Sequence, residues 1–213
     1  MADGMGLREL KKQETRQEIS DRATELFLER GFEETTIADI ASAARVAKKT
    51  VTNYFPRKED LALDHHEAFT SGLARTVAER EPGECALAAL RRAFAADVQR
   101  QDPVIGFSGM PFARMIADSP TLTSRLRELN EQREESLAAV LAIETGAEPG
   151  DITARAAAAV LGGVHRVLFG DVVRFTLDGL GNDEVAERVG ESGRRAFDLV
   201  EPALADYAVR AGE

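Results

Sequence analysis

The sequence predicts an all-α protein of about nine helices. Three observations carry that expectation. Apolar residues recur at three- and four-residue steps along most of the chain, no segment alternates with the period of two that a half-buried strand needs, and Gly, Pro, Thr and Asp fall where helix caps and stops belong. The 213 residues, 44% hydrophobic and 30% charged, exceed the usual single-domain size without reaching two large domains, so one compact unit or a small head on a larger body is expected. That composition, with 17 Gly, 7 Pro and no Trp, excludes a disordered or collagen-like chain.

Residues 7–30 place Leu7, Leu10, Ile19, Ala23, Leu26 and Phe27 among charges, an amphipathic helix that Gly31 ends by supplying a left-handed residue. Thr35 and Thr36 offer caps for a short helix carrying Ile37, Ile40 and Ala41. After the break Ala44-Arg45-Val46, residues 47–55 hold Val51 and Phe55 at i and i+4, facing one side. Pro56 stops this segment and opens a long fourth helix with Leu61, Leu63, Phe69, Leu73 and Val77. A helix from about Cys85 to Gln101 follows Pro82-Gly83, with Leu87, Leu90, Phe94 and Val98 as its stripe. Residues 103–118 are apolar but interrupted by Gly106, Gly109 and Pro111, which predicts a short irregular helix. Long helices then run from Ser119-Pro120 to about Glu144, from Asp151 to about Leu177, and from Asn182 or Asp183 to about Tyr207.

Net charge is −10, which argues against a protein that coats nucleic acid without specificity. The distribution is more informative. Residues 1–63 carry 11 basic and 12 acidic side chains, whereas the remaining 150 carry 16 and 25, and all five lysines lie in the first 58 residues. The longest apolar run, Ala156 to Val164, is too short to span a bilayer, and the first twenty residues contain no apolar signal region, so a cytoplasmic protein without a membrane partner is expected. A single cysteine, Cys85, forms neither an internal disulfide nor a cysteine cluster for a metal.

Two short helices across a tight break, braced by a longer preceding helix, match the helix-turn-helix plan, in which the second short helix enters the major groove. Ile37, Ile40, Ala41, Ala44, Val46, Val51 and Phe55 would form its small core. Lys48, Lys49, Thr52 and Asn53 then point outward, all able to hydrogen-bond base edges or phosphates. A merely solvated face in an acidic protein mixes signs, yet residues 45–58 hold five cations and no acid.

Thr36-Ile37, Ile40-Ala41, Ala44, Val46, Thr50-Val51, Tyr54-Phe55, Lys58 and Leu61 resemble, in identity and spacing, the DNA-binding head of the tetracycline-repressor family of bacterial transcription factors. The likeness is close over residues 14–61; the rest agrees in length and helical character. The resemblance implies a homodimeric, ligand-responsive regulator, usually a repressor, with a head at residues 1–60 and a ligand-binding and dimerisation body at 61–213. By position, Thr36, Thr50, Tyr54 and Lys58 look like phosphate contacts, and Lys48, Lys49, Thr52 and Asn53 like base readers. Tyr54 has a second reading, as a packing aromatic whose hydroxyl reaches solvent. Arg45 stands where the family commonly has Gly, so either the turn is shaped differently or a DNA contact offsets a strain of about 1–2 kcal/mol. Ala47 replaces a common Ser cap, and Thr52 stands where many members carry an aromatic residue.

A sensor body needs a largely apolar cavity with few polar groups. Candidate ligand contacts are Phe69, Phe94, Phe107, Met110, Phe112, Met115, Leu141, Leu161, His165 and Phe169, with residues 105–116 the best pointer because they concentrate Phe and Met in an interrupted helix. His165 lies in the most apolar helix, where a lone histidine is more often a hydrogen-bonded core residue. Adjacent His65 and His66 point about 100° apart on a helix and make a poor chelate, so neither a metal nor another cofactor is expected. Ala156, Val160, Gly163 and Val167, together with Val189, Ala196, Val200 and Leu204, are the candidate dimer face, two helices from each subunit making a four-helix bundle. The expected partners are operator DNA, a second copy and a small-molecule effector. The alternatives are a constitutive DNA-binding module without a ligand and an all-α enzyme; against the latter, no nucleophile-base set, metal-ligand spacing or phosphate-binding glycine loop is present.

Overall fold

The computed structural model describes residues 3–211; the side chain of Leu7, expected on the first helix's apolar face, lies outside what is described. The described residues form α1 (Asp3–Arg30), α2 (Ile37–Ala43), α3 (Lys48–Tyr54), α4 (Lys58–Ala62), α5 (His66–Ala78), α6 (Ala86–Gln99), a 3-10 turn (Pro103–Ile105), α7 (Gly109–Asp118), α8 (Pro120–Glu144), α9 (Ile152–Leu177) and α10 (Asn182–Leu204). The fold is all-α, with ten helices among these residues where about nine were expected. The extra one arises because the long fourth helix is two: Leu63 leaves helical geometry, and Asp64 accepts a 2.8 Å hydrogen bond from the Ser20 hydroxyl of α1. The residues at the break, Asp64, His65 and His66, are weak helix formers, so this tertiary tie decides the local structure.

The chain divides into two compact units, Met1–Asp64 with Met115–Thr123, and His65–Arg114 with Ser124–Glu213. In the first unit Ile19, Ala23 and Phe27 of α1 share a buried core with Phe32, Ile40, Val51, Phe55 and Leu61. Gly31, at φ +88°, terminates α1, and its N–H donates to the Phe27 carbonyl at 2.9 Å. The Ser119 hydroxyl donates to the Glu33 carboxylate at 2.6 Å, which with Thr121 holds that carboxyl below its ordinary range. Met115 is buried in this unit, which corrects its assignment to the ligand-binding body.

In the second unit α10 lies along α6 and α9. Leu87, Leu90, Leu137, Leu161, Leu168, Val185 and Phe197 are among its buried core residues. Gly193 allows the close approach of α10 to α6: a Cβ there would fall 2.6 Å from the Phe94 ring. Arg80 is 1% exposed and is held on all sides. Its guanidinium donates to the carbonyls of Val77, Glu84 and Ala208 and pairs with Glu144 at 2.7 Å, joining the end of α5, the following loop, the C-terminal turn and the end of α8.

Val189 and Leu204, expected in the dimer face, are 0% and 8% exposed inside this core. That expectation is corrected: the stripe Val185, Val189, Phe197 and Leu204 is covered by the chain's own helices. Ala196 and Val200 are half-buried at its margin. On α9, by contrast, Val160 and Val167 are 43% and 59% exposed, Ala156 is exposed and Gly163 half-exposed. Leu199 of α10, absent from the expectation, is 81% exposed. By length and hydropathy α9 also qualifies as a membrane span, but Ala154, Ala157, Leu161, Val164, Leu168 and Val172 are buried in the core of the unit.

Candidate nucleic-acid interface

The two short helices α2 and α3 are set by local chemistry at one end and by packing at the other. Thr36 caps α2 in a reciprocal box: its hydroxyl accepts from the Asp39 N–H at 3.2 Å, and its own N–H donates to the Asp39 carboxylate at 2.9 Å. The Thr36 hydroxyl also donates to that carboxylate, at 2.5 Å, so the residue is exposed while its polar atoms are engaged within the cap. In the turn, the Val46 N–H donates to the Ala41 carbonyl at 2.9 Å, and Arg45 adopts φ +54°. The turn therefore keeps the left-handed residue that glycine would satisfy, and Arg45 bears the strain. Ala47 gives α3 no side-chain cap, and the helix is held instead by Val51 and Phe55, 0% and 1% exposed, the Phe55 ring lying 4.5 Å from the Arg16 guanidinium.

With Val51 inward, Lys49 and Asn53 stand exposed on the opposite side, Lys48 and Thr52 are exposed on its flanks, Thr50 and Tyr54 are half-buried, and Arg45 is exposed at the turn. These are the side chains that the sequence analysis assigned to DNA. Lys58 differs from its assignment. Its ammonium donates to the carbonyls of Phe32, Glu33 and Thr35 at 2.8, 3.4 and 3.1 Å and lies 4.1 Å from the centre of the Phe32 ring. It is thus occupied in tying α4 to the loop between α1 and α2, which revises its reading as a phosphate contact. Lys58→Met is expected to destabilise this unit by about 1.5–3 kcal/mol, the usual range for charged hydrogen bonds, and to leave the salt dependence of DNA binding unchanged. Denaturant melts with titrations at several salt concentrations check this; unchanged stability with a slope lowered by about one would return Lys58 to the phosphates.

Residues 19–64 match the family model described as bacterial regulatory proteins, tetR family. The transcriptional regulator TcmR of Streptomyces glaucescens is 32% identical over 172 residues, spanning 78% of this chain and 76% of that protein. The chain belongs to the tetR family of bacterial regulatory proteins. Solved structures share the fold: Salmonella enterica GusR at a TM-score of 0.55 and 20% identity, covering 90% of this chain and 95% of that one, and SmeT, solved with triclosan, at 0.55 and 19%, covering 93% and 96%. As a tetR-family member the protein is a DNA-binding transcription regulator.

The body unit of this tetR-family chain contains a cavity of about 340 Å³ between α5, α6, the 3-10 turn, α8 and α9. Of the expected ligand contacts, Phe69, Phe94 and His165 line it. Phe107, Leu141 and Leu161 do not; they are 6%, 0% and 0% exposed in the closed core. Phe169 stands edge-on behind Phe69 at 5.9 Å, while Met110 and Phe112 of α7 are half-buried away from the cavity. Among the lining residues absent from the expected contacts is Arg133. It sits in register with Leu129, Leu137 and Leu141 on α8, and a cation within an apolar stripe was the available signal.

His165 is held edge-on between Phe94 and Phe197, each 5.7 Å away. Burial, and secondarily the Arg133 charge, lower its pKa from 6.5 to about 3. Below pH 6.5 the unfolded chain binds a proton that the folded chain refuses until about pH 3, so stability present above pH 6.5 is lost as pH falls through that window. The loss runs at about 1.4 kcal/mol per pH unit. His165→Gln is expected to lose stability less steeply than the native protein between pH 6.5 and 4.5, measured by denaturant melts. Parallel losses would mean that the folded protein protonates this imidazole.

Proposed function

We propose that this regulator is a homodimeric repressor, released from a palindromic operator when a small, largely apolar molecule enters the body cavity. The observation that carries the reading is the placement of α9. One side of that helix brings His165 to the cavity, and the other exposes Val160, Val167 and Ala156. An exposed apolar stripe beside Leu199 of α10 supports a four-helix contact with a second copy, because such surface is rarely left to water. A ligand bearing on α9 then acts on the helix that meets the partner, and through the dimer on the spacing of the two recognition helices.

Paired heads read half-sites whole helical turns apart, about 34–36 Å or a multiple. Lys48, Lys49, Thr52 and Asn53 read base edges; Thr50 and Tyr54, with Arg45 and the helix start at Thr36, hold phosphates. The head comprises residues 1–60 and the body residues 61–213, and the protein works in the cytoplasm, where its DNA lies. SmeT, of the same fold, was solved with triclosan, a small apolar compound, which supports a ligand of that character here.

The test is a binding titration, at stated salt, between the purified protein and DNA from its own upstream region, with random duplex as competitor. Binding that survives the competitor at two subunits per site supports the reading. Equal competition by random duplex across a genome-wide selection overturns it. A ligand that binds the body and leaves operator affinity unchanged removes the release step, for which a coupling of about 1–3 kcal/mol is expected.

A further inference from the structure

The body cavity is lined by a buried cation that has no carboxylate in direct contact among the described residues. Arg133 is 5% exposed and His165 6% exposed, and both line the cavity. Among the described residues the Arg133 guanidinium has no carboxylate oxygen within ion-pairing distance; one Nη donates to the Asn130 side-chain carbonyl at 2.7 Å, and the flat group lies 4.2 Å from the centre of the Phe69 ring. Its buried Nε has no hydrogen-bond partner, and neither has Nε2 of His165. Leaving a buried polar atom unsatisfied is costly, most of all on a charged group, so an unpaired guanidinium in the cavity wall requires an explanation.

Of the other charges lining the cavity, Arg75 is exposed and the rest are engaged in ion pairs. Asp97 and Asp102 both pair with Arg100, and Arg92 pairs with Glu84 at 2.8 Å. Glu134, the residue after Arg133, lies instead against Gly162 of α9, in space that only a glycine leaves open. Arg133 keeps its charge at neutral pH, since burial lowers its pKa only to about 10. The rings of Phe69 and Phe94 form part of the walls.

We infer that the effector is an organic acid: a carboxylate or phenolate borne on an aromatic or similarly apolar body, its oxygen anion taken by the Arg133 guanidinium, a further polar atom meeting the His165 imidazole, and its body held against Phe69 and Phe94. A planar guanidinium stacked on a ring suits a carboxylate edge, because its parallel N–H groups match two oxygens. A neutral imidazole supplies one donor or one acceptor and so adds direction without charge. A single buried guanidinium, with no second buried cation lining the cavity among the described residues, fits a singly charged anion better than a phosphate. A volume near 340 Å³ is at the small end of ligand sites, which limits the acid to a compact molecule. The inference rests on the cavity being the effector site proposed above.

The test uses the full-length protein and three matched probe pairs: benzoate, 2-naphthoate and anthracene-2-carboxylate, each beside its primary amide, titrated by calorimetry at neutral pH. At least one acid is expected to bind ten times or more tightly than its amide. In Arg133→Gln that preference falls to about one, and in Arg133→Lys it is partly retained. Amides that bind as well as the acids, or no measurable binding by any acid, overturn the inference; this comparison in the native protein does not depend on either variant folding. Titrating operator DNA with the same probes separates the two readings. Acids that bind through Arg133 and leave DNA affinity unchanged would defeat the release mechanism and leave the anion site standing. Neutral compounds that release DNA, with every acid inert, would defeat the anion site and leave the release mechanism standing.

Discussion

Arg80→Met is expected to destabilise the body unit by about 3–5 kcal/mol, the range for removing one partner of a buried, hydrogen-bonded ion pair. The methionine restores the apolar stem but leaves the carbonyls of Val77, Glu84 and Ala208 without their donor and Glu144 without its cation. Arg80→Lys is expected to recover little, because a single ammonium cannot occupy the positions of three guanidinium nitrogens at once. Denaturant melts at neutral pH measure both, and the thermal midpoint of a chain this size should fall by roughly 2–4 °C for each kcal/mol. A loss under about 1 kcal/mol for the methionine variant would mean that water or a shifted side chain replaces the network.

Lys49→Ala is expected to cost about 1–3 kcal/mol of operator affinity for each half-site, the value of a good base-edge contact, and twice that when two heads occupy one site. Lys49 is exposed on the side of α3 opposite the buried Val51, and among the described residues its ammonium has no ion pair or hydrogen bond. Affinity for random duplex should change much less, so the ratio of specific to random binding carries the effect. Tyr54→Phe, which removes a hydroxyl assigned to phosphate, should instead weaken both by a similar factor. Competition titrations at one salt concentration distinguish the patterns; a uniform loss in Lys49→Ala would move that lysine from the bases to the backbone.

The helix-turn-helix was legible because its signals are local. Val51 and Phe55 four residues apart, the cap at Thr36, and a run of cations without an acid each report on a few neighbouring residues; the structure buries Val51 and Phe55, caps α2 with Thr36 and exposes Arg45, Lys48 and Lys49. The body was legible as helices but not as faces. A stripe such as Val185, Val189 and Leu204 announces that something covers it, and the pattern is the same whether the cover is the chain's own α6 and α9 or a second copy. The break between α4 and α5 depends on Ser20 reaching Asp64 across 44 positions, and Lys58 turns inward because the carbonyls of Phe32, Glu33 and Thr35 converge on it. No window of local sequence contains those partners. Arg133 was passed over for a different reason, since a cation in a long charged helix looks like surface until the register with Leu129 and Leu137 is counted.

Gly193 touches no ligand, yet it governs what the cavity can hold. The Phe94 ring forms part of the cavity wall on one side and rests against the bare backbone of α10 on the other. A methyl group at position 193 would fall 2.6 Å from a ring carbon, too close for van der Waals contact, and so would push the ring toward the lumen. The shape of the cavity can therefore drift through substitutions on a helix that no inventory of pocket residues would include. Related chains with the same lining but an alanine at this position should respond to a narrower set of molecules.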